Sequence, residues 1–365
     1  MFHRRTALSA VTASVLSFPF FSRAASTAVG LTLPITGPQA EVAKDLRSGY
    51  EIALKGTGLD LIVLDDESNP EKAATNVKLF ANNPNVIATS GIVGTPHAQA
   101  ALPVAIQGGL PIVGIRSGAR SLRTGKDGVY HLRSSFEEEL DKLASLCAGA
   151  GYKKMAILFS DDAFGKGARD HFVMALKALK IGVLSEVSML RNGENLSEST
   201  AKIAEDLKAF KEPAGVVLLL ILKPMTAAAQ SLRVNHGIVL PMFAMSFVGT
   251  KSFSLDQSPA LRALGLVSAF PLPRASMNSL AIQFRSAMIN ADRKDLFESL
   301  TALEGYFYGS VLAQAANAGK TRDGLIKVLS RGMKVESQSV VFDQNYVGYH
   351  YLEIIHKDRT GVLRT

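Results

Sequence analysis

Short apolar runs alternate with amphipathic helical patterns along most of the chain after residue 25, and this alternation restricts the fold more than any other feature. AVGLTLP precedes EVAKDLRSGYEIAL, LDLIVLDD precedes PEKAATNVKLFANN, and NVIATSG precedes PHAQAALPVAIQ. Further strand-like runs are LPIVGI, KKMAILFS, GVLSEVSML and AGVVLLLIL. Apolar strands separated by helices indicate parallel sheets that are buried on both faces. The sequence therefore predicts an α/β fold.

Two such sheets are expected, one on each side of the segment YHLRSSFEEEL, and a chain of 365 residues is long enough for two domains. This segment changes from strand to helix, with Ser134 or Ser135 as the N-cap and three glutamates in the first helical turn. Near the other end, GLVSAFPLPRAS contains two prolines, which suit a crossing between the sheets better than a central strand. Helical patterns then cover residues 277–292, 303–318 and 322–332, and the short strands SVVFD and YHYLEIIH follow.

Residues 1–25 have the organisation of a secretory signal peptide. The basic start MFHRR is followed by the uncharged apolar run TALSAVTASVLSFPFF and by small residues that favour cleavage near Ala24 or Ala25. The alternative, a buried first helix, would have to accommodate Pro19, and the arginine pair leaves the general and twin-arginine export routes open. The only cysteine, Cys147, can form no intramolecular disulfide and lies too far along to carry a lipid. We therefore expect export to a bacterial periplasm.

Composition and charge exclude several classes of protein. Hydrophobic residues make up 47% of the chain and charged residues 20%, which is typical of a globular protein with ample core. The formal charge is +8, but lysines and arginines are scattered among acids without a basic stripe, so nucleic-acid binding is not expected. The longest mature apolar run, AGVVLLLILKP, is about half the length that a membrane span requires.

Signatures of catalysis are missing from the sequence. SGIVGTP lies at a strand end, yet it has neither the glycine spacing of a dinucleotide fingerprint nor the lysine of a phosphate-binding loop, and no G-x-S-x-G string occurs. The seven histidines form no metal-ligand pair at helical spacing, and the cluster Asp65, Asp66 and Glu67 is typical of a solvated strand end. We expect no enzymatic activity, no metal and no cofactor.

The same SGIVGTP turn suits a site that holds a ligand. Open α/β sheets bind ligands outside the carboxyl ends of their strands. Glycines let a ligand approach the backbone, and the free N–H groups in the first turn of the following helix attract an anion. Thr95 before Pro96 also has the residue types of an N-cap and a first helical residue, so Thr95 could instead only cap its own helix.

Taken together, these strings resemble type I periplasmic substrate-binding proteins of the branched-chain amino acid (leucine/isoleucine/valine-binding) family, which serve ABC transporters. The resemblance covers nearly the whole mature chain. Its order of motifs is specific, although each one alone is weak: LPITGPQAEVAKDLRSGYEIAL, DDESNPEKAATNVKLF, the GTP turn, GARSLR, HLRSSFEEE, SDDAFGKGARD and SFVG.

The resemblance implies two doubly wound parallel-sheet lobes, joined by a three-crossing hinge. Lobe 1 would comprise residues 26–134 plus 272–346, and lobe 2 residues 135–271 plus 347–365. Such proteins close around a small-molecule ligand by hinge motion and present the closed form to an inner-membrane ABC permease. We expect a monomer that binds with micromolar affinity, equivalent to roughly −8 kcal/mol.

The resemblance also implies the binding residues. The turn matching Val93, Gly94 and Thr95 would hold the ligand's carboxylate, and the loop matching Arg116, Ser117 and Gly118 would supply further donors. In lobe 2, an aromatic residue matching Phe164 would close over the ligand, unless it is a buried residue under its own turn, and the loop at Leu222 and Lys223 would add a contact. The expected ligand-binding residues are Val93, Gly94, Thr95, Arg116, Ser117, Gly118, Phe164, Leu222 and Phe247.

Departures from the family pattern concern the ligand's amino group. Amino acid binders place an acidic residue in the loop that here reads AMSFVG, where Ser246 and Phe247 stand instead. A family tyrosine is replaced by Leu222, and an aromatic after the first turn is replaced by Val42. Arg116 adds a positive charge, unless it points away from the cleft at the surface, and an ammonium buried without a carboxylate is costly. We therefore expect a ligand with an anionic head and an apolar or aromatic body, which need not be an amino acid.

Other functions remain open at the level of sequence. A periplasmic sensor subunit for a chemoreceptor or kinase would use the same closing cleft, and sequence does not separate it from a transport receptor. An α/β oxidoreductase or hydrolase is disfavoured by the missing motifs. A transcription regulator of the same architecture is disfavoured by the signal segment and by the lack of an N-terminal pair of DNA-binding helices.

Overall fold

The computed structural model describes residues 27–123, 125–317 and 319–365, which form two α/β lobes. The expected signal peptide, residues 1–25, lies outside the described residues. Each lobe has its own sheet, and a largely continuous apolar core fills the space between the sheets and their helices. The predicted α/β class with two largely parallel sheets is confirmed.

The first sheet has five strands, all parallel, because helices cross over between them. The strands are β1 (Ala28–Leu33), β2 (Asp60–Asp65), β3 (Val86–Ser90), β4 (Ile112–Val113) and β5 (Val129–Tyr130), in the order β2-β1-β3-β4-β5. The helices α1 (Ala40–Leu54), α2 (Pro70–Ala81) and α3 (Thr95–Gln107) follow the first three strands in turn. The carboxyl ends of β1 and β3 therefore meet at one edge of the sheet, just before α1 and α3.

The second sheet has seven strands, of which the two at one edge are antiparallel to their neighbours. The strands are β6 (Lys154–Ser160), β7 (Gly182–Met189), β8 (Ala214–Leu219), β9 (Met242–Met245), β10 (Leu264–Ser268), β13 (Glu353–Lys357) and β14 (Leu363–Arg364), in the order β14-β13-β10-β9-β8-β6-β7. Its helices are α4 (Phe136–Gly149), α5 (Ala163–Ala178), α6 (Leu196–Ala209), α7 (Leu222–Gln230) and α8 (Lys251–Leu255). The carboxyl ends of β6 to β9 face the first lobe's site-forming edge.

Three further helices and a hairpin complete the first lobe. They are α9 (Ser279–Asn290), α10 (Leu300–Asn317), α11 (Arg322–Arg331), β11 (Met333–Val335) and β12 (Gln338–Val340). Helix α10 is buried on all sides and packs along α1 at glycines: a Cβ on Gly49 would lie 2.1 Å from Ala302 O, and one on Gly305 would lie 2.1 Å from Leu46 O. Only glycine allows the two backbones to come so close.

The chain passes between the sheets three times, after β5, after β10 and before β13. The first and third connections lie side by side, because His131 pairs with Val347 and the Ser134 hydroxyl bonds to both backbone groups of Tyr351 at 3.0 Å. Ser135 caps α4 in a capping box with Glu138, so the structure selects Ser135 over Ser134 as the N-cap. The division at residues 134, 271 and 346 stays a prediction.

Candidate ligand-binding cleft

A cavity lies between the two lobes, where the loops that follow strands of both sheets converge. Its lining residues are Gln39, Val93, Gly94, Thr95, Arg116, Phe136, Phe164, Arg191, Ile221 and Phe247. The empty space between these side chains is about 310 Å³ when the open solvent at its mouth is included. Only about 20 Å³ of it admits the centre of a water molecule, so the cleft is closed in this form.

The turn between β3 and α3 builds one wall of the cavity. Gly91 and Gly94 have φ values of 70° and 99°, in the region where only glycine is unstrained, and Gly94 is the N-cap of α3. The expectation that Thr95 is the N-cap is wrong, because its hydroxyl bonds to Ser117 Oγ at 2.8 Å and not to its own helix. The hydroxyl is therefore held at the cavity wall by the neighbouring loop, which pairs with this turn through Val93 and Arg116.

Three phenyl rings form the apolar wall. Phe136 begins α4, Phe164 lies in the first turn of α5, and Phe247 lies in a 3₁₀ turn after β9. The ring of Phe164 is 4.6 Å from that of Phe247 and 5.2 Å from that of Phe136, in edge-to-face arrangements that aromatic pairs favour. All three belong to the second sheet's half of the cleft, and they give it a surface suited to an apolar or aromatic group.

Arg116 lies between the lobes, where its charge is balanced by a buried carboxylate. Its guanidinium is 3.0 Å from Glu304 Oε2 and donates to Phe247 O at 2.8 Å and to Thr301 Oγ1 at 2.9 Å. Burial lowers the pKa of Arg116, although Glu304 opposes this shift. The alternative that Arg116 is a surface arginine is wrong, because only 3% of it is exposed. Arg116 and Glu304 therefore already form an ion pair with each other before any ligand binds.

The ion pair of Arg116 is part of a buried network that spans both lobes. Arg133 pairs with Glu304 at 3.0 Å and with Glu139 at 2.9 Å, and Tyr308 donates to Glu304 at 2.7 Å. Burial by itself lowers the pKa of Arg133, but Glu304 and Glu139 outweigh it and raise the pKa. Two arginines and two glutamates make the network neutral, as burial requires. We name Arg116, Glu304, Arg133 and Glu139 the interlobe quartet.

The loop at Ser246 has a carboxylate beneath it, supplied from α4. Glu139 accepts hydrogen bonds from Ser246 N at 3.0 Å and from Ser246 Oγ at 2.8 Å, as well as from Arg133. The sequence suggested only that Glu139 favours the positive end of its helix, whereas the structure places it fully buried. Glu139 is fully buried beneath the loop and is not among the residues that line the cavity, so it does not face a ligand's ammonium group.

Asp161 and Asp162 are also occupied. Asp162 is the N-cap of α5 through Gly165 N at 2.9 Å, and its other oxygen pairs with Arg191; Asp161 pairs with Lys166 near the surface. Among the lining residues that the structure describes, two are arginines and none carries a carboxylate. Both guanidinium groups are paired with carboxylates that do not line the cavity, Arg116 with Glu304 and Arg191 with Asp162.

Two buried polar side chains at the first sheet's edge lack partners. Gln39 lines the cavity and its Nε2 has no hydrogen-bond partner among the described residues. Both ring nitrogens of His97, in the first turn of α3, are likewise unpaired in the described part of the chain. Burial, and then the charge of Arg191, lower the pKa of His97 to about 4, so the ring is neutral at physiological pH. Gln39 is thus a buried donor available to an acceptor in the cavity.

The structure brings together six of the nine predicted residues at the cavity: Val93, Gly94, Thr95, Arg116, Phe164 and Phe247. Ser117 lies behind Thr95 as its hydrogen-bond partner, and Gly118 backs onto α4, where a Cβ would lie 2.6 Å from Phe136 N. Leu222 lies in an outer groove with Lys223, and Ile221 takes its place at the cavity. Val42 lies in the core.

Sequence reasoning missed four lining residues: Gln39, Phe136, Arg191 and Ile221. Ile221 precedes the predicted contact Leu222 by one position, and it lies in the short connection between β8, which ends at Leu219, and α7, which begins at Leu222. Phe136 follows the Ser135 cap, so its place at a helix start was visible. Arg191 and Gln39 lie in loops with no local signal, and only the fold brings them to the cleft.

Within the described ranges, no group of three or more histidine, cysteine, aspartate or glutamate side chains is placed to hold a metal ion. None of the helices described is long and apolar enough to cross a membrane.

Comparison with known proteins gives a consistent result. A family model described as "Periplasmic binding protein" matches residues 26–346. Among solved structures, a substrate-binding periplasmic protein from Ralstonia solanacearum is 25% identical, with a TM-score of 0.80 over 92% of this chain and 99% of that one. A leucine-binding protein from Thermotoga maritima is 17% identical, with a TM-score of 0.79 over 93% and 97% of the two chains.

A third structure shares the fold at lower identity. It is a solute-binding protein of an ABC transporter from R. palustris in complex with 4-hydroxybenzoate, 15% identical, with a TM-score of 0.80 over 92% of this chain and 94% of that one. No curated protein matches the chain significantly. Since the family model covers most of its length, the chain belongs to the periplasmic binding protein family.

Proposed function

We propose that this protein is a periplasmic receptor that captures a small carboxylate-bearing ligand without an ammonium group and delivers it to an ABC transporter. The ligand's apolar or aromatic body would lie against Phe136, Phe164 and Phe247, and its carboxylate would lie at the turn of Gly94 and Thr95.

The observation that carries this proposal is that no described residue lining the cavity has a carboxylate. Glu304 and Glu139 are paired with arginines, and Asp162 is paired with Arg191 within the described residues. An α-ammonium would lie beside two guanidinium groups that already hold Glu304 and Asp162, and burying a charge without a partner of its own costs several kcal/mol. A carboxylate is favoured by the same surroundings, because the start of α3 presents N–H groups and a positive helix end.

The comparisons support this choice of ligand class as precedent. One structure with the same fold binds 4-hydroxybenzoate, an aromatic acid without an amino group, and belongs to an ABC transporter. A leucine-binding protein also shares the fold, so the architecture accepts both kinds of ligand. The side chains of the cleft favour the first kind here. We prefer a transport role over a sensor role because the structure that holds 4-hydroxybenzoate is the solute-binding protein of an ABC transporter.

Ligand entry in this account requires the lobes to separate. The space open to the centre of a water molecule is too small for a ligand of several atoms. We propose that the lobes comprise residues 26–134 plus 272–346 and residues 135–271 plus 347–365, and that they open about the three connections. The protein would act as an exported monomer, with residues 1–25 as its signal peptide, and would present the closed form to an inner-membrane permease without turning over the ligand.

Calorimetric titration with a ligand panel tests the proposal. The panel contains phenylacetate, 4-hydroxybenzoate, octanoate, adipate and leucine, added to protein that has been unfolded and refolded to remove bound molecules. We expect at least one ammonium-free acid to bind in the micromolar range, and to bind more tightly than leucine. Binding of leucine alone, or of no acid in the panel, would refute it, as would tight leucine binding that persists in Phe247→Ala.

A further inference from the structure

Arg191 extends into the cleft from the loop that follows β7, the edge strand of the second sheet. It lies just after β7, in the turn that leads to α6, and its side chain lines the cavity. Its Nη2 is 3.7 Å from the position that a Cβ on Gly94 would occupy, so the guanidinium lies over the turn that begins α3. A residue of the second sheet's lobe is thereby placed against the first lobe's anion-attracting turn.

Asp162 fixes the direction of this guanidinium. The Asp162 carboxylate pairs with Arg191 Nη1, while its other oxygen accepts the hydrogen bond from Gly165 N that caps α5. Only 12% of the Asp162 side chain and 25% of that of Arg191 are exposed, so the pair is shielded from solvent. The Asp162 carboxylate is thus shared between Arg191 and the positive N-terminal end of α5. Since Asp162 binds Nη1, the other nitrogen, Nη2, is the one that lies near Gly94.

The surface opposite Arg191 contains the start of α3 and one buried donor without a partner among the described residues. Helix α3 has 13 residues, no acidic residue in its first turn and no side-chain cap. Gln39 lines the same cavity, is 95% buried, and has an Nε2 without a partner among the described residues. Asp162 already balances the charge of Arg191, whereas Gln39 Nε2 has no acceptor among the described residues and the start of α3 favours a negative group. An anionic group in the cavity supplies that acceptor.

We propose that Arg191 clamps the ligand's carboxylate from lobe 2 while the turn at Gly94 and Thr95 holds it from lobe 1. This inference rests on the proposed function and adds to it the residue that selects for ligand charge. A neutral ligand of the same shape would fill the cavity but would give Arg191 and the start of α3 no anion beyond Asp162. Closure of the cleft is therefore more favourable around an acid than around its amide.

The test pairs each acid with its neutral amide: 4-hydroxybenzoate with 4-hydroxybenzamide, and phenylacetate with 2-phenylacetamide. Titrations use the full mature protein, its Arg191→Met variant, which keeps most of the side-chain stem, and Arg191→Lys. Arg169→Met is the matched control, because Arg169 pairs with Glu186 outside the cavity. We expect Arg191→Met to weaken acid binding at least tenfold and amide binding less than twofold, Arg191→Lys to restore part of the loss, and Arg169→Met to change neither.

Two kinds of failure are distinguishable. If the unaltered protein binds neither acid, the proposed function fails for these ligands and the role of Arg191 falls with it. If the unaltered protein binds an acid and Thr95→Val weakens that binding, but Arg191→Met lowers acid and amide affinity equally or not at all, only the clamp is refuted. Circular dichroism spectra that match the unaltered protein ensure that each variant is folded, and Arg191→Gln replaces the methionine variant if it is not.

Discussion

Thr95 is the single residue on which the proposed binding of a carboxylate most depends, because it lines the cavity and its hydroxyl bonds to Ser117 Oγ at 2.8 Å. Thr95→Val keeps the shape of the side chain and removes this hydroxyl. Affinity for the tightest-binding acid should fall by roughly 1–3 kcal/mol, as expected when a buried polar partner is lost. Thr75→Val on the exposed face of α2 is the calorimetric control, and unchanged affinity in Thr95→Val would leave Thr95 with a structural role only.

His97 gives a pH prediction at the same scale. Its pKa is lowered to about 4 in the folded protein, against 6.5 as the ordinary value, so the unfolded chain binds the proton more readily between these values. The stability contributed by neutral His97 is complete above pH 6.5 and is lost as pH falls towards 4, by as much as about 3 kcal/mol. Denaturant unfolding from pH 4 to 7 should show a smaller loss on acidification for His97→Asn than for the unaltered protein. Equal slopes for the two proteins would contradict this.

Residue types predicted much of the site, and tertiary contacts decided the rest. Val93, Gly94 and Thr95 were found because a glycine-containing turn between a strand and a helix has a local pattern. The partner of Arg116 could not be found from sequence, since Glu304 lies 188 positions away and meets it only through the packing of α10. No local sequence pattern marks Gln39 or Arg191 as a binding residue, because each lies in a loop that contributes to the cavity only through the packing of the two lobes.

At the scale of elements, α4 begins at the hinge and depends on a well-formed cap. Ser135 Oγ accepts from Glu138 N at 3.0 Å, and Glu138 accepts from Ser135 N at 2.6 Å. Ser135→Ala should reduce the free energy of unfolding by about 1 kcal/mol, as measured by urea denaturation. Ser145→Ala in the same helix, whose hydroxyl bonds only to Asp141 O, should change it by less than about 0.5 kcal/mol. Equal effects of the two changes would argue against the capping box.

Most elements were predictable because their apolar periodicity is strong, and the errors lie where that signal is weak. The run AGVVLLLIL has no polar residue to show where β8 ends, and its last residue, Leu222, already begins α7. YHYLEIIH reads as a strand, but its antiparallel pairing with β10 depends on the return of the chain between lobes. The short strands β4 and β5 have two residues each and are defined by their neighbours rather than by their own sequence.

For the whole molecule, the interlobe quartet ties the two lobes together in the closed form. Glu304→Gln removes the shared carboxylate and leaves Arg116 and Arg133 with an excess buried charge. The free energy of unfolding should fall by about 3–5 kcal/mol, as measured by chemical denaturation. Glu298→Gln, which breaks an ion pair with the exposed Arg274, should cost less than about 1 kcal/mol. A loss as small in Glu304→Gln would show that the quartet is not needed for stability.

The two-lobed architecture followed from the order of motifs, whereas the closed state and its ligand class follow from contacts. The repeated strand-helix pattern indicates parallel sheets but contains nothing about the distance between them. The cavity exists because Phe136, Phe164 and Phe247 meet turns of the first lobe, and the partners of its arginines come from both lobes. The proposed preference for an acid over an amino acid thus rests on which carboxylates are already paired, which the sequence does not reveal.

A crystal structure grown with the tightest-binding acid of the panel tests the central claim most directly. The account predicts that the acid lies in the cavity between the lobes, with its carboxylate within hydrogen-bond distance of Thr95 Oγ1 and its apolar body against Phe164 and Phe247. Electron density for the acid outside this cavity, or with its carboxylate turned away from α3, would contradict the account.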